Sequence, residues 1–188
     1  MYTLIGDIGN TVTKICLINT KNYKIKKVFF LQSSKLKKDP YIKARFHKII
    51  GKNKINYFSL FSSVVPRHDA KIKKFLSKFY KIHLMEIKSK KINKVIKINI
   101  KNKKQVGSDR IANAVSVYKK YKKNCIVVDL GTATTFDIVT KNGIYNGGVI
   151  APGVNLSIKS LSNYADQIPF FFFKKSKKGF GKNSNETI

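Results

Sequence analysis

The sequence predicts an α/β fold in two related halves, and three observations carry that prediction. Strand-like apolar runs alternate with stretches of helical spacing. Two distant loops, Asp7-Ile8-Gly9-Asn10-Thr11-Val12-Thr13 and Asp129-Leu130-Gly131-Thr132-Ala133-Thr134-Thr135, share one pattern: Asp, aliphatic, Gly, polar, any, any, Thr. The 188 residues, 43% of them hydrophobic, suffice for one ordinary domain or two small related ones with a sizeable core.

Taken in order, residues 3–8 and 12–19 flank Gly9-Asn10-Thr11 and read as a hairpin, with Val28 to Leu31 extending the same sheet. After Asp39-Pro40, apolar positions from Tyr41 to Ile50 recur at helical spacing and stop at Gly51. Ile55 to Val65 reads as a strand closed by Ser62-Ser63-Val64-Val65-Pro66, small hydroxyl residues where α/β proteins place ligands. A helix over His68 to Phe79 and a short strand over Leu84 to Ile87 follow. Ile92 to Lys104 alternates Ile or Val with Lys or Asn, as an edge strand guarded by lysine would. Ser108 to Tyr121 reads as an amphipathic helix with Ser108 and Asp109 as available caps. A buried strand then delivers Asp129 to the second loop, Phe136 to Val139 and Tyr145 to Ala151 form two more strands, and Val154 to Tyr164 forms a helix. Phe170-Phe171-Phe172-Phe173 reads as a buried strand or plug, and a loop after Gly179 leads into a further helix.

Composition excludes some functions. The formal charge of +30 suggests a nucleic-acid binder, yet only Arg45, Arg67 and Arg110 among 39 basic residues are arginine, and the lysines are spread from end to end. Nucleic acid is therefore ranked last among partners, and most lysines read as solvated faces. Cys16 and Cys125 sit in apolar runs with no Cys or His at ligand spacing, so reduced core thiols and a cytoplasmic setting are expected. No apolar run approaches the ~18 residues of a membrane span, and no basic leader opens the chain.

The chemistry concentrates in the loops. Glycine lets a phosphate approach backbone amides, Thr and Asn supply donors, and Asp can orient a metal ion or its water ligands. Read alone, each loop is more simply a tight hairpin whose Asp caps its own turn; two matched loops favour a phosphate clamp. Gly107-Ser108-Asp109-Arg110 opens a helix whose N-terminus suits anions, or is simply a capping Asp with a solvated Arg. Of nine acidic residues, Asp7, Asp109, Asp129 and Asp137 lie in these glycine- and threonine-rich motifs, and in so basic a chain they are expected to be ionised.

The paired loops resemble those of the actin-like (ribonuclease H-like) superfamily, in which duplicated subdomains with mixed sheets grip ATP. Five segments in order, Asp7 to Thr11, Ser62 to Pro66, Gly107 to Asn113, Val128 to Asp137 and Gly147-Gly148-Val149-Ile150-Ala151-Pro152-Gly153, resemble the type III pantothenate kinases more narrowly. The resemblance implies subdomains over 1–105 and 106–188, the second incomplete at its C-terminus, and phosphorylation of pantothenate at the start of coenzyme A synthesis. It implies ATP with magnesium on Asp7, Ile8, Gly9, Asn10, Thr11, Val12, Thr13, Lys14 and Thr132. Asp109 would be the catalytic base, and Gly107, Ser108, Asp109, Arg110 and Ser184 would hold pantothenate. Asp129 would be the metal ligand for a monovalent cation, potassium or ammonium, and the active form a homodimer. The family usually has Thr at the place of Ser184, and Tyr and Pro where this chain has Ile100 and Lys103. A non-catalytic relative that binds nucleotide or a partner is the alternative, and nucleotide binding without turnover would mark it.

Overall fold

The computed structural model describes residues 1–88, 94–165 and 168. The first half is a five-stranded sheet ordered β3-β2-β1-β4-β5. Its strands are β1 (Tyr2–Ile8), β2 (Val12–Asn19), β3 (Ile25–Gln32), β4 (Phe58–Ser63) and β5 (His83–Glu86). β1, β2 and β3 form an antiparallel meander, whereas β4 and β5 join β1 in parallel, so the sheet is mixed as expected. Parallel strands need crossovers. Helix α1 (Asp39–Ile50) lies in the β3 to β4 connection and α2 (Pro66–Tyr80) in the β4 to β5 connection. Pro40 in its first turn starts α1, and Gly51, with φ of 49°, ends it.

Alternation along the strands sorts the two faces of this sheet. Leu4, Ile8, Ile15, Leu17 and Phe61 point to one side and pack with Ile42, Phe46, Ile49, Ile72 and Leu76 of the helices into one buried cluster. The opposite side carries Ile5, Asp7, Lys14, Cys16, Leu60 and Ser62, which neighbour one another across the strands. That side floors a cleft.

The second half holds a four-stranded sheet ordered β6-β9-β8-β7. Its members are β6 (Lys97–Ile98), β7 (Cys125–Leu130), β8 (Ala133–Val139) and β9 (Ile144–Pro152), with β6 parallel to β9 and the rest antiparallel. The alternating lysine-rich segment thus contributes an edge strand of only two residues, followed by a short 3-10 turn at Lys103–Gln105. This strand lies upstream of residue 106 yet pairs in the second sheet. Helix α3 (Ser108–Tyr121) covers the side of the sheet that carries Val127, Asp137, Val139 and Tyr145, and α4 (Val154–Tyr164) follows β9.

Three expectations are corrected. β7 is not a buried strand: Ile126 and Leu130 are each 70% exposed, because β7 is an edge and the side it shares with Phe136, Ile138 and Val149 is uncovered among the described residues. The cysteines are free but only half-buried, and Cys16 faces the cleft instead of the core. Neither Ser108 nor Asp109 caps α3; the cap position is Gly107, with no side-chain cap. The Phe170 to Phe173 run, the helix expected after Gly179 and Ser184 lie outside the described residues.

Candidate active site

A cleft of about 400 Å³ lies between the halves, lined by Asp7, Lys14, Cys16 and Ser62 of the first sheet, Asp109 and Asn113 of α3, and Asp129 of β7. Each carboxylate arrives for a local reason. Asp7 and Asp129 stand near the ends of β1 and β7, each just before a glycine turn. Asp109 is in the first turn of α3, where a helix N-terminus favours negative charge.

Gly107 permits the aim of Asp109. The Asp109 side chain, two residues on, folds back so closely that a Cβ at residue 107 would stand 2.3 Å from Asp109 Oδ1. That same oxygen accepts a 2.8 Å hydrogen bond from the Arg110 amide, one of the unpaired donors of the first turn. Gly153 does similar work at the other loop, where a Cβ would stand 2.2 Å from Gly131 O.

The surroundings of Asp7 work against its ionised form, where a basic chain was expected to favour it. Burial and then the negative charge of Asp109 raise its pKa above the usual carboxylate value, while Lys14 and the Ser62 hydroxyl pull it back and Asp129 adds to the rise. A net charge of +30 spread over solvated lysines does not set the potential inside a cleft lined by three aspartates.

The two matched loops meet. Thr11 Oγ1 and Thr132 Oγ1 are 3.3 Å apart, so one ligand can touch both. Asp129 Oδ2 accepts from Asn113 Nδ2 at 2.8 Å, which orients the carboxylate and leaves its other oxygen available. Not every expected residue presents its side chain. Ile8 and Thr13 are fully buried, and the Thr13 hydroxyl pairs with Ser33 at 2.9 Å, so only their main-chain groups are available to a ligand. Gly9, Asn10 and Val12 form the exposed turn itself, closed by Gly9 N donating to Val12 O. Ser108 is buried against Ser63, and Arg110 turns toward Asp137 on β8. Asn113 and Cys16 are cleft residues that sequence spacing did not single out; only the strand register places Cys16 beside Ile5.

The donor set suits a hard cation and a phosphate. Oxygen ligands, two glycine turns with adjacent hydroxyls and one lysine are what magnesium and a polyphosphate require. A cation beside Asp7 would also offset the negative charges of Asp109 and Asp129, which add to the burial that raises its pKa. Among the described residues no cluster of three or more His, Cys, Asp or Glu is close enough to hold a metal alone.

Comparison with known proteins agrees with this geometry. The family model described as Type III pantothenate kinase matches residues 3–188. A type III pantothenate kinase of Pelagibacter ubique is 47% identical over 185 residues, covering 98% of this chain and 73% of that protein. One from Endomicrobium trichonymphae is 33% identical over 191 residues, covering 97% and 73%. Among solved structures, a Campylobacter jejuni protein described as a Baf family transcriptional activator superposes with a TM-score of 0.51 at 21% identity, covering 92% of this chain and 68% of that one, and supports the fold alone.

Proposed function

The chain belongs to the type III pantothenate kinase family, and on that premise we propose that it transfers the γ-phosphoryl group of ATP to the primary hydroxyl of pantothenate. Members of this family phosphorylate pantothenate in coenzyme A biosynthesis. The observation that carries the residue-level reading is the single cleft into which both matched halves and α3 deliver Asp7, Lys14, Asp109 and Asp129.

In this reading Asp109 accepts the hydroxyl proton as the new oxygen to phosphorus bond forms and the bond to the β-phosphate oxygen breaks. Such transfers rest mainly on alignment and charge neutralisation, so Asp109 orients the hydroxyl more than it deprotonates it early. Thr11 and Thr132 hold the phosphates from opposite sides, helped by the amides of the Gly9-Asn10 turn. Lys14 neutralises phosphate charge, and Asp7 holds the magnesium that accompanies ATP. Asp129, oriented by Asn113, binds the monovalent cation. Gly107 lets the substrate and Asp109 approach the main chain, while Ser184 stays assigned to pantothenate by resemblance.

We also place the reaction in the cytoplasm, a setting that two free thiols fit, and among the described residues no helix is long and apolar enough to cross a membrane. A homodimer is the proposed working form, and the apolar side of β7 that no described residue covers supports self-association.

A mass-spectrometric assay with ATP, magnesium, potassium and pantothenate tests the function. Formation of 4'-phosphopantothenate, stimulated by potassium over sodium, is the expected result. Nucleotide binding with no phosphorylated product would overturn it.

A further inference from the structure

Residues 108, 109 and 110 are consecutive on the first turn of α3, yet their side chains go to three different places. Successive helical residues project about 100° apart, which makes this geometrically natural. Ser108 Oγ reaches into the first half, 3.1 Å from Ser63 O on β4 and in hydrogen-bond contact with Glu86 Oε1 on β5. A hydroxyl has one proton, so it serves these two acceptors alternately. Glu86 is itself fixed, its Oε2 accepting from Lys88 N at 2.6 Å.

Arg110 goes the opposite way, into the second half. Its Nε donates to Asp137 Oδ1 at 2.9 Å and its Nη2 lies 2.6 Å from the same oxygen. Asp137 is fully buried on β8, and Tyr145 on β9, itself 1% exposed, donates its hydroxyl to Oδ1 at 2.7 Å. Thr135 Oγ1 lies 3.4 Å from Oδ2. Burial, and then the bond to Asp137, push the Tyr145 phenol well above its usual pKa, so it remains a donor throughout the working range. Between these two anchorages Asp109 enters the cleft, while Arg110 is absent from the cleft wall.

We propose that Glu86 on one side, and Asp137 with Tyr145 on the other, are positioning residues that aim the Asp109 carboxylate across the cleft, so that both halves set the catalytic base at once. The inference rests on the reading of Asp109 as the base. Its physical content is simple. Fixing the side chains immediately before and after residue 109, each to a different sheet, fixes the rotation and position of the turn that carries it. A displacement of about 1 Å at a reacting group can cost on the order of 100-fold in rate, so modest loosening is measurable.

Removing Asp137 would strand a buried guanidinium, so the decisive variants are Tyr145→Phe and Glu86→Ala, checked for folding by circular dichroism. Each is expected to lower kcat roughly 10-fold while leaving KM for ATP and pantothenate within about twofold. On an Asp109→Asn background neither should cause a further loss, because both act through Asp109. Unchanged kcat in either folded variant overturns the anchorage that variant removes, and a full further loss on the Asp109→Asn background overturns positioning altogether. A second readout needs no turnover. The 13C carboxyl resonance of Asp109, assigned by its loss in Asp109→Asn, should move in both variants. A resonance that stays put in both overturns the proposal, whereas a wild-type chain that never phosphorylates pantothenate overturns the kinase reading alone.

Discussion

β1 and β7 begin matched hairpins, end in matched Asp-aliphatic-Gly loops, and nevertheless occupy opposite situations. β1 is central, with β2 on one side and β4 on the other, whereas β7 has β8 on one side and no described strand on the other. The helices also fall differently. In the first half α1 and α2 bury the side carrying Leu4 and Ile8, leaving the opposite side to floor the cleft. In the second half α3 covers the side of Asp137 and Tyr145, and Ile126, Val128 and Ile138 remain exposed. Repetition of a motif therefore preserves the loop and not its surroundings: Asp7 is half-buried with a raised pKa, while Asp129 is exposed and steered by a single amide.

Substitutions can break or sharpen that contrast. Leu4→Ala, in the fully buried cluster of the first half, should cost about 3 kcal/mol in denaturant unfolding. A loss below about 1 kcal/mol would show that the first half is not the better packed. Gly153→Ala, which would drive a Cβ to 2.2 Å from Gly131 O, is expected to cost about 1–3 kcal/mol and to weaken ATP binding by calorimetry, since the Thr132 loop must shift.

Asp7 gives a pH-dependent effect. Because its folded pKa is raised, its contribution to stability is present at pH below the unfolded value and is lost as pH rises through the folded one. In magnesium-free buffer at pH 7, Asp7→Asn should therefore melt slightly higher than wild type while binding ATP with magnesium more weakly. The gap in Tm should close as pH falls into the carboxylate range, and a variant less stable than wild type at pH 7 would contradict the cause assigned to the shift. Smallest of all, Ile126→Ser should change the monomer's unfolding free energy by no more than about 0.5 kcal/mol. A larger loss that depends on protein concentration would locate a subunit contact on β7.

Much of this was legible in the residues. The bounds of α3 and α4 followed from helical periodicity, and Gly51 marked the end of α1 as expected. Apolar runs found the strands, but a run reports which residues are apolar and not which are covered, so the β-branched Ile126-Val127-Val128 run misjudged β7 as buried. The two-residue β6 fell short of its pattern because only Lys97 and Ile98 find partners on β9. Within the cleft, Asp7 and Asp129 were readable because each sits in a glycine and threonine motif, and Asp109 because it follows Gly107-Ser108 at the start of a helical pattern. Glu86, Asn113 and Cys16 were not, since β5, α3 and β2 bring them to the cleft or its border only through the pairing of distant segments. Arg110 was expected to hold substrate, and its bond to Asp137 depends on a register that spacing cannot supply.

The central claim is that Asp109, delivered between the halves, performs the chemistry on pantothenate. Steady-state kcat of wild type and Asp109→Asn, with both folds verified and both substrates saturating, tests it most directly. The predicted result is a fall of about 10²–10⁴-fold with ATP binding retained. A kcat within a few-fold of wild type would contradict it.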